Sequence, residues 1–408
     1  IKLHLRRISP TLHYAIAQNN NHGTSEAAAL FIGGSWLTAL GSGEGNKYES
    51  LGRKWLDNRA KKLIDNDGSF SQYSTNYHRM MLDTLSIAEI WRKKLKREEF
   101  SETFYDRASK ATSWLYQMIS PKNGNGPNLG ANDGSLLFQL TDSDYRDYRP
   151  SIQLASKLFK NVCAYPKAGL WDSHVSWLGI INDSSESEEY IDCDLDSGGY
   201  KILRFGDAKL IFRYPKFRFR PSQSDALHVD FWLDDVNLLS DAGTYSYNSS
   251  PDTSNYFDGV ASHNTIQFDD RDQMPKLSRF LFGSWLKTRE VSPISISDSG
   301  LTCHAHYRDF KGAEHYRNIY LKETSLNISD EVKGFKNKAV IRWRLSDGPW
   351  ILKDTKNGLE ISNDFIVLKV NSEVDIVRAH IEEGWESLFY MQKNNVSILE
   401  VEIASASI

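Results

Sequence analysis

Three titratable side chains stand in a row at Tyr77, His78 and Arg79, within the stretch DGSFSQYSTNYHRMMLDTL that runs from Asp67 to Leu85. A tyrosine can take up a proton and return it, but its unperturbed pKa of ~10 makes it a poor base. A neighbouring cation favours the phenolate, and Arg79 or His78 would supply that charge. Consecutive helical residues point about 100° apart, so helix geometry disfavours both doing so. The competing reading is a tyrosine packed in the core between a solvated His and Arg. Upstream, Asn19-Asn20-Asn21-His22-Gly23-Thr24-Ser25-Glu26 precedes an apolar run. That order places Asn21 and His22 at a helix N-terminus, where free N–H groups and the dipole suit an anion. Asn21 would recognise a substrate carboxylate, with His22 as base or second donor; plain capping explains one Asn equally well.

Other polar groups lie in loops and strands. Asn132, in NLGANDG, and Arg146 and Arg149, in YRDYRP, suit acidic sugar groups, because Arg grips carboxylate or sulfate with two prongs. Arg146 reads rather as a structural partner of Asp144 or Asp147, and Arg149 is open between the two roles. Further on, Asp241 and His263 are credible ligands for a zinc-like ion. Polar–apolar alternation from Gln223 to Asp230 puts His228 on the strand face opposite Gln223 and Asp225, so His228 reads as a satisfied core histidine.

The elements that position these residues fall into two halves. Helix-period apolar residues recur near 25–40, 47–64, 72–95, 102–119 and 151–163, separated by Gly, Pro, Asn and Asp clusters. Ser69 with Gln72 reads as the capping box of the third segment. Such helices joined by short loops make an α/α hairpin array. After the acidic run 182–189, read as a surface linker, come short alternating strands: 200–205 and 209–214 around Gly206-Asp207, then 226–233, 301–307, 316–321, 339–345 and 365–370. Helices first and sheets second indicate an α+β chain of two domains, 1–180 α-helical and 181–408 an antiparallel β-sandwich.

Bulk composition narrows the function classes. With 408 residues, 40% hydrophobic and 25% charged, the chain reads as a soluble globular protein of two domains. A formal net charge of −4 gives no global reason to expect nucleic acid or an acidic membrane as partner. No apolar run of ~20 residues is present to span a bilayer. Cys163, Cys193 and Cys303 have no metal-ligand spacing and allow one bridge at most. The opening residues look like the middle of a helical domain, so N-terminal sequence is expected to be missing.

Four stretches, in order, resemble the heparinase II/III-like polysaccharide lyases: Asn21-His22; Tyr77 within SQYSTNYHRM; QSDALHVDFW leading into SDAGTYSYN; and SHNT at 262–265. The resemblance implies an (α/α) toroid, incomplete here, followed by an antiparallel β-sandwich. It implies β-elimination on a 4-linked uronate polysaccharide, glycosaminoglycan-like, with Tyr77 as acid and base and Asn21 and His22 neutralising the uronate carboxylate. It adds Tyr256, where the family often contributes an aromatic, to the substrate contacts expected from residue type at Arg79, Asn132 and Arg149. It implies a divalent, zinc-like structural ion at Asp241, His263 and the position of Gln223, where many members carry a His. Gln offers only a neutral amide oxygen. The chemistry itself requires no cofactor. The expected partner is an acidic polysaccharide, and the expected location is the periplasm or outside the cell. Two rivals remain open: a non-catalytic polysaccharide-binding protein of surface-glycan metabolism, and an (α/α) glycoside hydrolase, which needs two carboxylates across one bond.

Overall fold

The computed structural model describes residues 1–139, 141–180, 186–356 and 358–405. Residues 182–185 of the acidic run thus lie outside the described residues. Two compact units emerge: residues 1–126 with 134–190, and residues 127–133 with 191–408. The division falls later than 180, and a seven-residue piece of the Asn-Gly loop belongs with the sheets.

The first unit contains α1 (Lys2–Ala17), α2 (Asn21–Ala39), α3 (Gly43–Leu63), α4 (Thr75–Lys94), α5 (Glu102–Met118), α6 (Arg149–Phe159) and the short α7 (Ser173–Leu178). They pack as hairpins of the (α/α) toroid kind. Leu5, Leu12 and Ile16 of α1 close on Leu30, Leu37 and Tyr48 of α2 and α3. Two glycines bring α2 and α3 together: a Cβ at Gly34 would land on the backbone of Tyr48 and Glu49, and one at Gly52 on that of Phe31. That contact fixes the helix that opens with Asn21. The described end of the acidic run is docked on this unit: the Glu188 carbonyl accepts from Tyr116 Oη at 3.0 Å and the Glu189 carbonyl from Gln117 Nε2 at 2.6 Å.

The second unit is antiparallel throughout its named strand pairs. β1 (Cys193–Leu195), β2 (Tyr200–Phe205), β3 (Ala208–Arg213), β4 (Val229–Leu233) and β5 (Val236–Leu239) form one sheet in sequence order. Phe205 pairs with Ala208 across Gly206-Asp207, the tight turn that the sequence signals. Next come helix α8 (Pro251–Asp258), β6 (Ile266–Phe268) and the hairpin β7 (Lys276–Ser278) and β8 (Leu281–Phe282). β9 (Thr288–Arg289), β10 (Ser295–Ser297), β11 (Gly300–Arg308), β12 (Glu314–Leu321) and β13 (Leu326–Lys333) make a second large sheet. β14 (Lys338–Arg344) joins β6 in a third, with β15 (Ile351–Thr355), β16 (Gly358–Ser362) and β17 (Val367–Asn371) forming a fourth. β18 (Ile376–Glu386) and β19 (Asn394–Ala404) complete the third sheet, in the order β18-β19-β14-β6. Layered sheets of this kind bury alternate side chains between them. All three cysteines are free thiols. Among the described residues no helix is long and apolar enough to cross a membrane.

Candidate functional site

In the helical unit, α2 begins where the sequence expects it. Asn20 is the N-cap, its side chain accepting from His22 N at 3.1 Å. The preceding turn is held by Ser71 Oγ donating to Asn19 O and by Arg59 Nη1 donating to Ile16 O, both at 3.1 Å. With Asn20 doing the capping, Asn21 has a different set of contacts. Its backbone N–H donates to Gln72 Oε1 at 2.7 Å, and its side-chain amide points to the thioether of Met80, 3.6 Å away. Ser135 Oγ donates to the same sulfur at 3.2 Å. His22 is exposed, one turn before Glu26, whose carboxyl is raised by burial against the pull of His22.

α4 starts later than the expected capping box. Tyr73 adopts a left-handed backbone at φ 51°, and Ser74 is the cap, accepting from Tyr77 N at 3.1 Å. Gln72 is therefore released from capping and holds Asn21 instead. Tyr77 lies in the first turn, 6% exposed. His78 is fully buried and stacked on Trp114 at 4.3 Å. Its Nε2 donates to Ala111 O at 2.8 Å, and burial lowers its pKa to about 4. It is neutral at neutral pH, so it supplies no charge to Tyr77 and is not solvated.

Arg79 is the cation on that turn, and it is buried, not exposed to a substrate. Its guanidinium lies between the rings of Tyr145 and Tyr148, at 4.6 and 4.5 Å, and donates to Asn76 Oδ1 at 2.8 Å and to Tyr145 O at 2.5 Å. Arg149 is likewise engaged: Nε and Nη2 clamp Asp147 at 2.9 and 2.8 Å, Nη1 donates to Lys122 O at 2.6 Å, and Trp171 covers its face at 4.6 Å. Arg146 donates to Asn125 Oδ1 and Gly126 O. These three arginines are each engaged by partners within the helical unit.

In the sheet unit the remaining motifs converge on one buried node. Asp241, His228 and His263 are fully buried, and their donor atoms lie within 4.8 Å of one another. Asp241 Oδ2 is 2.8 Å from His263 Nδ1 and 3.6 Å from His228 Nε2, while Oδ1 accepts from Gly243 N at 2.8 Å. Burial by itself would raise the Asp241 carboxyl; the two imidazoles and the Gly243 amide outweigh it and hold it below the usual range. Gln223 stands outside the cluster. Its Oε1 accepts from Gly130 N at 3.0 Å, and its Nε2 donates to Gly243 O at 3.1 Å.

His228 takes the third place because the chain does not alternate through it. Leu227 has φ 59°, His228 N turns back to Asp225 O at 3.1 Å, and β4 begins only at Val229. Asn264 then stitches the node, donating through Nδ2 to Val229 O and Ser240 O and accepting from Arg344 N at Oδ1. Tyr256 is tied down too: its hydroxyl accepts from Arg344 Nη1 at 2.8 Å and from Trp385 N at 3.0 Å, and donates to Trp385 O at 3.2 Å. Its ring packs edge-on against Phe257 and Trp385, at 5.2 and 5.4 Å. Asn132 is buried within 127–133 of this unit.

Helical hairpins followed by layered antiparallel sheets define a two-unit α+β protein, and comparison with known proteins gives its family. The profile described as heparinase II/III N-terminus matches residues 10–149, and that described as heparinase II/III-like, C-terminal, matches residues 192–405. The chain belongs to the heparinase II/III-like family. Among solved structures it is similar to heparinase III (TM-score 0.74, 15% identity), covering 95% of this chain and 59% of that one. It is also similar to the heparan sulfate lyase HepC of Pedobacter heparinus (TM-score 0.70, 16% identity), covering 97% of this chain and 60% of that one. The chain thus spans less than two thirds of either protein, and the likeness at this identity is one of fold. No curated protein matches it.

Proposed function

We propose that this protein is a polysaccharide lyase that cleaves a 4-linked, uronate-containing polymer of the glycosaminoglycan kind by β-elimination. The observation that carries the reading is the state of Asn21. Its side-chain amide, at the mouth of a helix, donates to a thioether 3.6 Å away. Sulfur is a weak acceptor, and a carboxylate oxygen would replace it with a gain. The family membership and the lyases among the similar structures support the same reading.

In the reaction the C5 proton beside the carboxylate must leave while negative charge builds on that carboxylate. Asn21, aided by His22 and the positive end of α2, stabilises this enolate-like charge. Tyr77, as its phenolate, takes the C5 proton; the C5–H electron pair becomes the C4=C5 double bond and the C4–O4 bond breaks. Tyr77 then returns the proton to O4, so atoms and charge balance and no cofactor enters. On the family resemblance alone, the proposed location is the periplasm or outside the cell.

The deciding experiment follows ultraviolet absorbance on a panel of uronate polysaccharides with the wild-type protein and Tyr77→Phe. An unsaturated-uronate chromophore that falls by about 10²–10⁴ in rate in the variant is the expected result. A chromophore that survives undiminished in the variant rejects Tyr77 as acid and base. New reducing ends without a chromophore identify a hydrolase, and glycan binding with neither signal identifies a binding protein.

A further inference from the structure

We propose that the His228–Asp241–His263 cluster takes no divalent ion, unlike the zinc-like site that the family resemblance implies. His228 fixes the proton positions. Its Nδ1 lies 2.9 Å from the backbone N of Asn264. A backbone N–H can only donate, so Nδ1 is the acceptor and keeps its lone pair there. The proton of the neutral ring then sits on Nε2, the atom that faces Asp241 Oδ2 at 3.6 Å. A metal ligand must present a lone pair to the ion, and Nε2 has none to present. Coordination through Nε2 would oblige Nδ1 to carry a proton against the Asn264 N–H, or oblige the ring to lose both protons.

Asn264 has no freedom to retreat. Its side chain bonds Val229 O, Ser240 O and Arg344 N, and its carbonyl accepts from Arg317 Nη1 at 2.7 Å. Position 223 supplies no replacement. Both ends of the Gln223 amide are committed to backbone, at Gly130, Gly243 and Phe257. Asp241 and His263 therefore remain as the only lone-pair donors in the cluster. Zinc sites take four ligands when structural, and three protein ligands even when one position is left to water. Asp241 Oδ1 accepts from Gly243 N–H and Oδ2 pairs with His263 Nδ1 at 2.8 Å, whereas His228 Nε2, 3.6 Å from Oδ2, stands beyond hydrogen-bond reach. Asp241 and His263 form a carboxylate clamp joining the 240–243 turn to the segment entering β6, and His228 is tied to that segment through the Asn264 N–H.

The test uses the full chain, expressed with zinc in the medium and purified without chelator. Metal content, thermal midpoint with and without EDTA, and the His228 tautomer from long-range ¹H–¹⁵N spectra are measured, the His228 signals being assigned in the wild-type protein from their contact with the Asn264 amide proton. Expected are zinc far below one ion per chain, a midpoint indifferent to EDTA, and a His228 protonated at Nε2 with Nδ1 as acceptor. One zinc per chain that disappears in His263→Gln, or a His228 proton on Nδ1, overturns the proposal. Zinc retained in His263→Gln resides elsewhere, and with the Nε2 proton observed it leaves the clamp standing. The wild-type tautomer decides even if the variants do not fold. None of these readouts depends on lyase activity.

Discussion

Met80 is the residue on which the proposed chemistry is most open to test without touching a reacting group. Its sulfur receives both the Asn21 amide and the Ser135 hydroxyl, so it holds the place of a better acceptor. Met80→Gln keeps a similar length and puts an amide oxygen in that place. Asn21 would then gain a neutral hydrogen bond of about 1 kcal/mol that substrate must break. The Michaelis constant should rise about fivefold at an almost unchanged turnover number, since 1.4 kcal/mol is about tenfold in an equilibrium. Met80→Leu removes the acceptor and should leave the Michaelis constant at or below the wild-type value. An unchanged Michaelis constant in Met80→Gln would mean that the Asn21 amide never meets the substrate.

At the scale of the element, α4 holds two buried groups whose titrations oppose each other. His78 has its pKa lowered by burial to about 4 from 6.5. The fold keeps it neutral, so its contribution is complete above pH 6.5 and is lost as pH falls toward 4. Asp83 has its pKa raised by burial to about 7 from 3.8, against the pull of Ser151 and Arg79. The fold keeps it protonated, so its contribution is complete below pH 3.8 and is lost as pH rises through 7. Each shift corresponds to about 3–4 kcal/mol at most, and between pH 4 and 6.5 the two slopes largely cancel. His78→Phe, which retains a ring on Trp114, should leave a helical unit whose stability falls with pH over that window. Asp83→Asn should leave one whose stability rises. Denaturant unfolding followed by helix circular dichroism checks both; profiles parallel to wild type would show that neither group is perturbed.

At the scale of the whole molecule, the elements were more legible in the sequence than their junctions. The α5 limits and the β2–β3 hairpin follow from capping serine, apolar period and Gly-Asp turn, all local signals. The N-terminus of α4 did not, because Tyr73 takes a left-handed backbone that tyrosine seldom adopts, moving the cap from Ser69 to Ser74. The same event at Leu227 hid His228, since alternation counted through 223–230 assumes extended backbone at every step. Asn21 and Tyr77 were visible as residue types at helix starts, whereas the thioether between Asn21 and Ser135 depends on contacts 55 or more positions apart in sequence.

The least legible feature is residues 127–133, a polar loop by composition that leaves the helical unit and packs with the sheets. Asn128 Nδ2 donates to Ser387 O at 2.8 Å, Gly130 N to Gln223 Oε1 at 3.0 Å, and Thr244 Oγ1 to Gly130 O at 3.1 Å. Gly130 has φ 76°, a conformation that a Cβ opposes. Gly130→Ala should therefore cost about 1 kcal/mol, and Asn128→Ala a similar amount through its lost bond. The physical consequence is that a change in the middle of the helical sequence should loosen the sheet unit. Amide exchange should quicken around Gln223, Gly243 and Ser387 in both variants while α2 and α4 keep their protection. Faster exchange in α5 and α6, which flank the loop in sequence, with the sheets unaffected, would instead assign 127–133 to the helices. Between the two patterns, exchange separates what adjacency in sequence suggests from what Gln223 holds in place.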